Sequence, residues 1–218
     1  MFGHDFPTRA YINEVATRDG FQSEAVFVPT DEKIRLINQL SRTGLHKIEV
    51  TSFVSPRAIP NLCDAEEVME GIDRNPDVRY VTLVPNEKGA ERALACRADE
   101  INLVMSVSQS HNLANMRMSC EQSQAQFARI VTLVGKTPMK INGTLATAFG
   151  CPFEGLIPAS AVMDTIERYL QTGIRSITVA DTTGMASPRQ VTELCGAIRR
   201  TTGMASPRQV TELCGAIR

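Results

Sequence analysis

Short runs rich in β-branched residues alternate with stretches of helical period from Tyr11 onward. The runs predict strands over Tyr11–Thr17, Lys47–Phe53, Arg79–Val84, Glu100–Val107, Lys140–Phe149 and Ser176–Asp181. Apolar residues spaced three and four apart predict helices over Asp31–Arg42, Ala65–Arg74, Glu87–Arg97, Cys120–Val134 and Ala159–Gln171, with another starting at Pro188. The punctuation agrees. Asp64 with Glu67, and Ser119 with Gln122, have capping-box spacing, and Ser187-Pro188 offers an N-cap followed by a proline at the first helical position. Gly44, Gly135 and Gly173 fall where left-handed C-caps would sit.

Strict alternation of strand and helix implies a parallel sheet, either doubly wound or closed as a (β/α)8 TIM barrel. Parity within the strands separates the two. Ile48 and Val50 point opposite to Glu49 and Thr51, Ile101, Leu103 and Met105 opposite to Asn102 and Ser106, and Ile141 and Leu145 opposite to Asn142 and Thr144. A doubly wound sheet is covered on both faces and reads almost wholly apolar. A recurrent polar face fits a barrel interior that leads to a polar site. The fold expected is therefore an α/β TIM barrel, with about six of its eight βα units represented.

Composition changes this picture little. The 218 residues are 43% hydrophobic and 22% charged, which is ordinary for a folded domain. A formal net charge of -1 gives no electrostatic ground for nucleic acid or an anionic membrane as partner. Six cysteines without a CxxC pair read as reduced cytoplasmic thiols. Residues 201–218 repeat residues 182–199 without a change. The second copy has a helix pattern with no strand before it, so residues 1–199 are taken as an incomplete barrel domain and residues 200–218 as an artefactual repeat without functional weight. A helix from Ser206-Pro207 with an apolar stripe of Val210, Leu213 and Ile217 is what that tail could form.

Barrel enzymes place their chemistry at the C-terminal ends of the strands. Glu14, Arg18 and Asp19 follow the first strand, Glu49 and Ser52 lie on the second, and Asp181 and Thr182 follow the sixth. Glu14 shares parity with Arg18 and is expected to hold its guanidinium. The rigid fork of an arginine suits a carboxylate or enolate, and an adjacent aspartate can bind a divalent cation through oxygen.

The motifs NEVATRDGFQSE (13–24), KIEVTSFVSPRAIPNL (47–62), LVPNEKG (83–89), FGCPFEG (149–155) and VADTTGMASP (179–188) resemble, in order, those of the 3-hydroxy-3-methylglutaryl-CoA lyase family. The resemblance implies a barrel that binds Mg2+ or Mn2+ and cleaves the acyl-CoA substrate to acetyl-CoA and acetoacetate. It implies Asp19 as a metal ligand and Arg18 as the group that stabilises the enolate. Glu49, Asp181 and Thr182 would line the substrate site, Asp181 handling the hydroxyl proton, with Gln22 and Ser52 near the substrate. Cys151 matches the family's GCP motif. His111, after the fourth strand, is a candidate substrate contact, whereas His4 and His46 read as structural or exposed. The family's HxH metal pair, its late asparagine ligand and its loop with a catalytic cysteine have no counterpart in this sequence, and Ala25 stands where relatives often carry a lysine. A related metal-dependent aldolase, a Claisen-condensing acyltransferase and a non-catalytic barrel stay open as alternatives, as does a homo-oligomer.

Overall fold

Residues 11–202 are described by a computed structural model. Six strands pair in parallel and in sequence order: β1 (Asn13–Glu14), β2 (Lys47–Ser52), β3 (Arg79–Leu83), β4 (Glu100–Ser106), β5 (Lys140–Ala146) and, last, β8 (Ser176–Val179). Between β5 and β8 the short strands β6 (Gly150–Cys151) and β7 (Gly155–Leu156) form a separate antiparallel hairpin. The helices are α1 (Phe21–Ser23), α2 (Thr30–Leu40), α3 (Ala65–Gly71), α4 (Glu87–Ala95), α5 (Gln109–Met116), α6 (Cys120–Val134), α7 (Ala159–Gln171) and α8 (Pro188–Thr202). Parallel strands joined in order by crossover helices make the arc of a (β/α)8 barrel.

The arc is concave on its polar face. Glu49 on β2 and Asn102 on β4 are separated by a whole strand, about 9.6 Å in a flat sheet, yet their side chains meet at 3.4 Å. One layer toward the strand starts, Lys47 and Arg79 both reach the buried Glu100, at 2.6 and 3.1 Å. The convex face carries Ile48, Val50, Ile101, Leu103, Leu145, Ile177 and Val179, all buried against the helices. Phe127, Ile130 and Val134 of α6, Val162, Ile166 and Tyr169 of α7, and Leu194 and Ile198 of α8 supply the other half of that core.

Several local expectations give way to tertiary structure. The first strand is two residues long, because the chain coils into a wide π-helical turn over Ala16–Gly20. Asp64 does not cap α3 with its side chain; the carboxylate is taken by Lys33 and by the hydroxyl of Thr30, at 2.7 and 2.8 Å. Gly135 ends α6 in a right-handed conformation, while Gly44 and Gly173 are left-handed as predicted. The Ser119–Gln122 capping box is formed, and the Ser187 hydroxyl accepts the N–H of Gln190 in the first turn of α8. His4 and the second copy of the repeat beyond Thr202 lie outside the described residues.

Candidate active site

The turn after β1 shows how local sequence places a functional side chain. Oε1 of Glu14 accepts the N–H groups of Val15 and Ala16 at 2.8 and 2.7 Å, satisfying donors that a helix start leaves open. The N–H groups of Arg18 and Asp19 both return to the carbonyl of Val15, which closes the turn. Thr17 points inward and donates to the backbone oxygen of Glu49 at 2.8 Å. The next side chain, Arg18, is thereby delivered to the Glu49 carboxylate: Nε donates to Oε1 at 2.5 Å, while Nη1 donates to Asp19 at 2.6 Å. Glu49, not Glu14, holds the guanidinium. Oε1 of Glu14 is engaged by its own backbone instead.

Glu49 belongs to a polar network across the concave face. Nδ2 of Asn102 donates to its second oxygen. Oδ1 of Asn102 accepts from Oγ1 of Thr144 at 2.7 Å and from Nδ2 of Asn142 at 3.1 Å. Nδ2 of Asn142 also donates to Thr178, and its oxygen accepts from Ser176 at 2.8 Å. The alternating parity of β4 and β5 had marked these residues as an interior face, but nothing in their spacing marked them as supports for Arg18.

Ser52 reaches the same face by an irregularity. Simple alternation puts it with Ile48 and Val50 on the helix side. Between Glu49 and Thr51 the β2–β3 register shifts by one, so Ser52 pairs with Leu83, which in turn pairs with Asn102. A bulge re-aims the side chains beyond it. Ser52 is 1% exposed, and its hydroxyl is one of the buried polar groups without a hydrogen-bond partner among the described residues, which suits a group that meets a ligand.

The ends of β4, β5 and β8 are laced together. Nδ1 of His111 lies 2.7 Å from the Ser106 hydroxyl, and burial pushes this imidazole below its ordinary pKa, favouring the neutral ring. The Cys151 thiol donates to Ser108 at 3.0 Å. Thr147 holds φ at +55°, unusual for a β-branched residue, and its N–H donates to Oγ1 of the otherwise exposed Thr182 at 2.8 Å. Such backbone strain costs of order 1–3 kcal/mol and gathers at functional sites. Asp181 is buried, and its two oxygens accept the N–H groups of Met185 and Ala186 at 3.0 and 3.1 Å. It shapes the β8–α8 loop. Gln22 sits half-buried in α1, one turn beyond Arg18. A groove of about 970 Å³ opens at the opposite, N-terminal end of the strands, lined by Arg74, Arg79, Tyr80 and Lys140, and does not include these residues.

The HMGL-like family profile matches residues 9–212. The chain belongs to the HMGL-like family. It is 41% identical over 193 residues to a hydroxymethylglutaryl-CoA lyase of Bacillus subtilis, covering 88% of this chain and 64% of that protein. It is 40% identical over 194 residues to a cytoplasmic 3-hydroxy-3-methylglutaryl-CoA lyase of Rattus norvegicus, covering 89% and 57%. The chain thus spans less than two thirds of the length of either curated relative. Among solved structures, an HMG-CoA lyase of Acinetobacter baumannii in complex with coenzyme A and 3-methylmalate superposes with a TM-score of 0.87 at 54% identity, over 92% of this chain and 64% of that one. The carboxyl transferase domain of Rhizobium etli pyruvate carboxylase, at 16% identity and a TM-score of 0.64, shares the fold alone.

A divalent metal ion is what the resemblance to HMG-CoA lyases implies for this site. Among the described residues no three His, Cys, Asp or Glu side chains cluster so as to hold a metal ion. Asp19 is more than half exposed and shares one oxygen with Arg18. It offers a hard oxygen ligand but not a coordination set, because a divalent cation such as Mg2+ needs about six oxygen ligands in near-octahedral array. The described residues therefore do not by themselves fit the metal.

Proposed function

We propose that this chain carries the catalytic face of a carbon–carbon lyase that cleaves 3-hydroxy-3-methylglutaryl-CoA, or a similar 3-hydroxyacyl-CoA, to acetyl-CoA and acetoacetate. The observation that carries the reading is the Arg18–Glu49 couple, held at the strand ends of an HMGL-like barrel.

The reaction removes the proton of the tertiary hydroxyl and breaks the bond between C2 and C3. The oxygen becomes the ketone of acetoacetate. The bonding electron pair moves to the departing acetyl-CoA enolate, whose carbon then takes up a proton. Negative charge grows on the thioester oxygen, and a guanidinium fixed in advance stabilises it without reorganising at the moment of reaction. Glu49 supplies that fixation. Asp181 is the carboxylate proposed to take the hydroxyl proton, through the lone pairs its loop N–H groups leave over. Gln22, Ser52, Thr182 and His111 are proposed substrate contacts, and Ser52 brings an unpartnered buried hydroxyl to that role.

Mg2+ or Mn2+ is the cofactor that the family resemblance would bring, and Asp19 is the one ligand that the described residues would contribute to it; the steps above are carried by Arg18, Glu49 and Asp181. The protein is proposed to act in the cytoplasm, as do relatives named cytoplasmic. Among the described residues no helix is long and apolar enough to cross a membrane.

The test incubates the protein with Mg2+ or Mn2+ and a panel of 3-hydroxyacyl-CoA thioesters, hydroxy keto acids, and acetyl-CoA with keto acids. Equimolar acetyl-CoA and acetoacetate from 3-hydroxy-3-methylglutaryl-CoA is the expected result. Turnover confined to the hydroxy keto acids, or to condensation, would overturn the assignment.

A further inference from the structure

We infer that Asn102 is a positioning residue for the Arg18–Glu49 couple, held in its working orientation by Thr144. The inference deepens the lyase reading and rests on it for its catalytic consequence, though its geometry stands independently.

A buried asparagine can turn its amide either way, and only its partners decide which end faces a neighbour. Two donors converge on Oδ1 of Asn102, Oγ1 of Thr144 at 2.7 Å and Nδ2 of Asn142 at 3.1 Å. An amide nitrogen in that place would oppose the donating Nδ2 of Asn142. The oxygen therefore faces β5, and Nδ2 must face β2, where it meets Oε2 of Glu49 at 3.4 Å. The contact is long, so its value is direction more than strength. Glu49 is 7% exposed and Asn102 is 6% exposed, and a buried carboxylate needs donors on both oxygens to keep one orientation.

The consequence runs outward through the couple. Oε1 takes Nε of Arg18, Oε2 takes Asn102, and the backbone oxygen of Glu49 takes the hydroxyl of Thr17. The two bonds to the carboxylate hold its plane in one orientation for Arg18, and the Thr17 bond fixes the backbone from which it extends. Without Asn102 the carboxylate can rotate about its last torsion, and the guanidinium follows. Misplacement by about 1 Å is enough to cost on the order of 100-fold in rate.

Two readouts test this, one of them independent of turnover. In ¹⁵N spectra of the whole protein the Arg18 Nε–H, assigned by its loss in Arg18→Lys, should be shifted and slow to exchange. Asn102→Leu should return that signal toward the position and exchange rate of exposed arginines, and Thr144→Val should move it the same way. Thr144→Ser, which keeps the hydroxyl donor, should restore it. With 3-hydroxy-3-methylglutaryl-CoA, Asn102→Leu and Thr144→Val should lower kcat about 10- to 100-fold, with KM changed less, and Thr144→Ser should recover most of the loss. An unchanged Arg18 signal in folded Thr144→Val overturns the inference, as does equal damage from Thr144→Ser. A parent protein that shows these spectral changes but cleaves no thioester would sustain the positioning role and sink the lyase reading.

Discussion

The ring of Tyr169 lies directly on the backbone of Gly143. A Cβ at residue 143 would stand 3.0 Å from both Cδ1 and Cε1 of that ring, and 3.1 Å from Cγ2 of Ile174. The ring cannot retreat, since it stacks on Phe127 at 5.8 Å and its hydroxyl lies within hydrogen-bond distance of the carbonyls of Leu103 and Thr144. Burial also drives the phenol pKa up, so the hydroxyl stays a donor. This contact seats α7 against β4 and β5, the two strands that carry Asn102 and Thr144.

Gly143→Ala should therefore destabilise the fold by about 1–3 kcal/mol, the usual cost of overpacking a filled core. Urea denaturation checks it. A variant as stable as the parent would mean that α7 shifts freely, contrary to the tethering described.

Lys33 and Asp64 form a pair in which both side chains are almost wholly buried. Nζ also donates to the carbonyl of Asn61 at 2.6 Å, fixing the approach to α3 against α2. Asp64→Asn keeps the volume but strands a buried ammonium, and breaking a buried pair on one side costs about 3–5 kcal/mol. The drop should appear in the denaturation midpoint. A loss below about 1 kcal/mol, the range of exposed pairs, would contradict the burial of the pair.

The Arg92 guanidinium beside Glu66 holds that carboxyl below its ordinary value of 4.5. A carboxyl whose folded-state value is lowered adds stability that is complete above the unfolded value and lost as pH falls through the folded one. Both side chains are partly exposed, so the pair is worth about 0.2–1 kcal/mol. Glu66→Gln should be less stable than the parent by that amount near neutral pH and should converge with it below the lowered value. Denaturation curves across the acid range check the convergence; a gap that widens toward low pH would reverse the sign.

Much of the scaffold is legible in the sequence because it obeys period. Five strands and six helices fall within a few residues of where alternation, apolar spacing and the Ser187-Pro188 start put them, since β-branched runs and amphipathic stripes bury themselves in the one sheet they can form. Helix α5 escapes that logic. Its one buried residue is Asn112, which bonds the Ser106 N–H, the Met118 carbonyl and the Ser123 hydroxyl. A helix pinned by a polar tether has no apolar stripe to read. The site follows the same division. Arg18, Asp19 and Glu49 stand in recognisable motifs and meet in space. The bulge that turns Ser52 inward and the backbone bonds that occupy Glu14 and Asp181 depend on register and local coiling, which residue types alone do not specify.

The central claim is that a fixed guanidinium at residue 18 carries the charge of the departing enolate. The most direct measurement compares turnover of 3-hydroxy-3-methylglutaryl-CoA by the parent and by Arg18→Lys at matched folding, verified by circular dichroism. The ammonium keeps the charge but not the fork that binds Glu49 and Asp19 together. Loss of a preorganised donor of this kind costs about 2.7–4 kcal/mol, so kcat/KM should fall by on the order of 100- to 1,000-fold. A folded Arg18→Lys protein that releases acetyl-CoA and acetoacetate at the parent's rate would contradict the account.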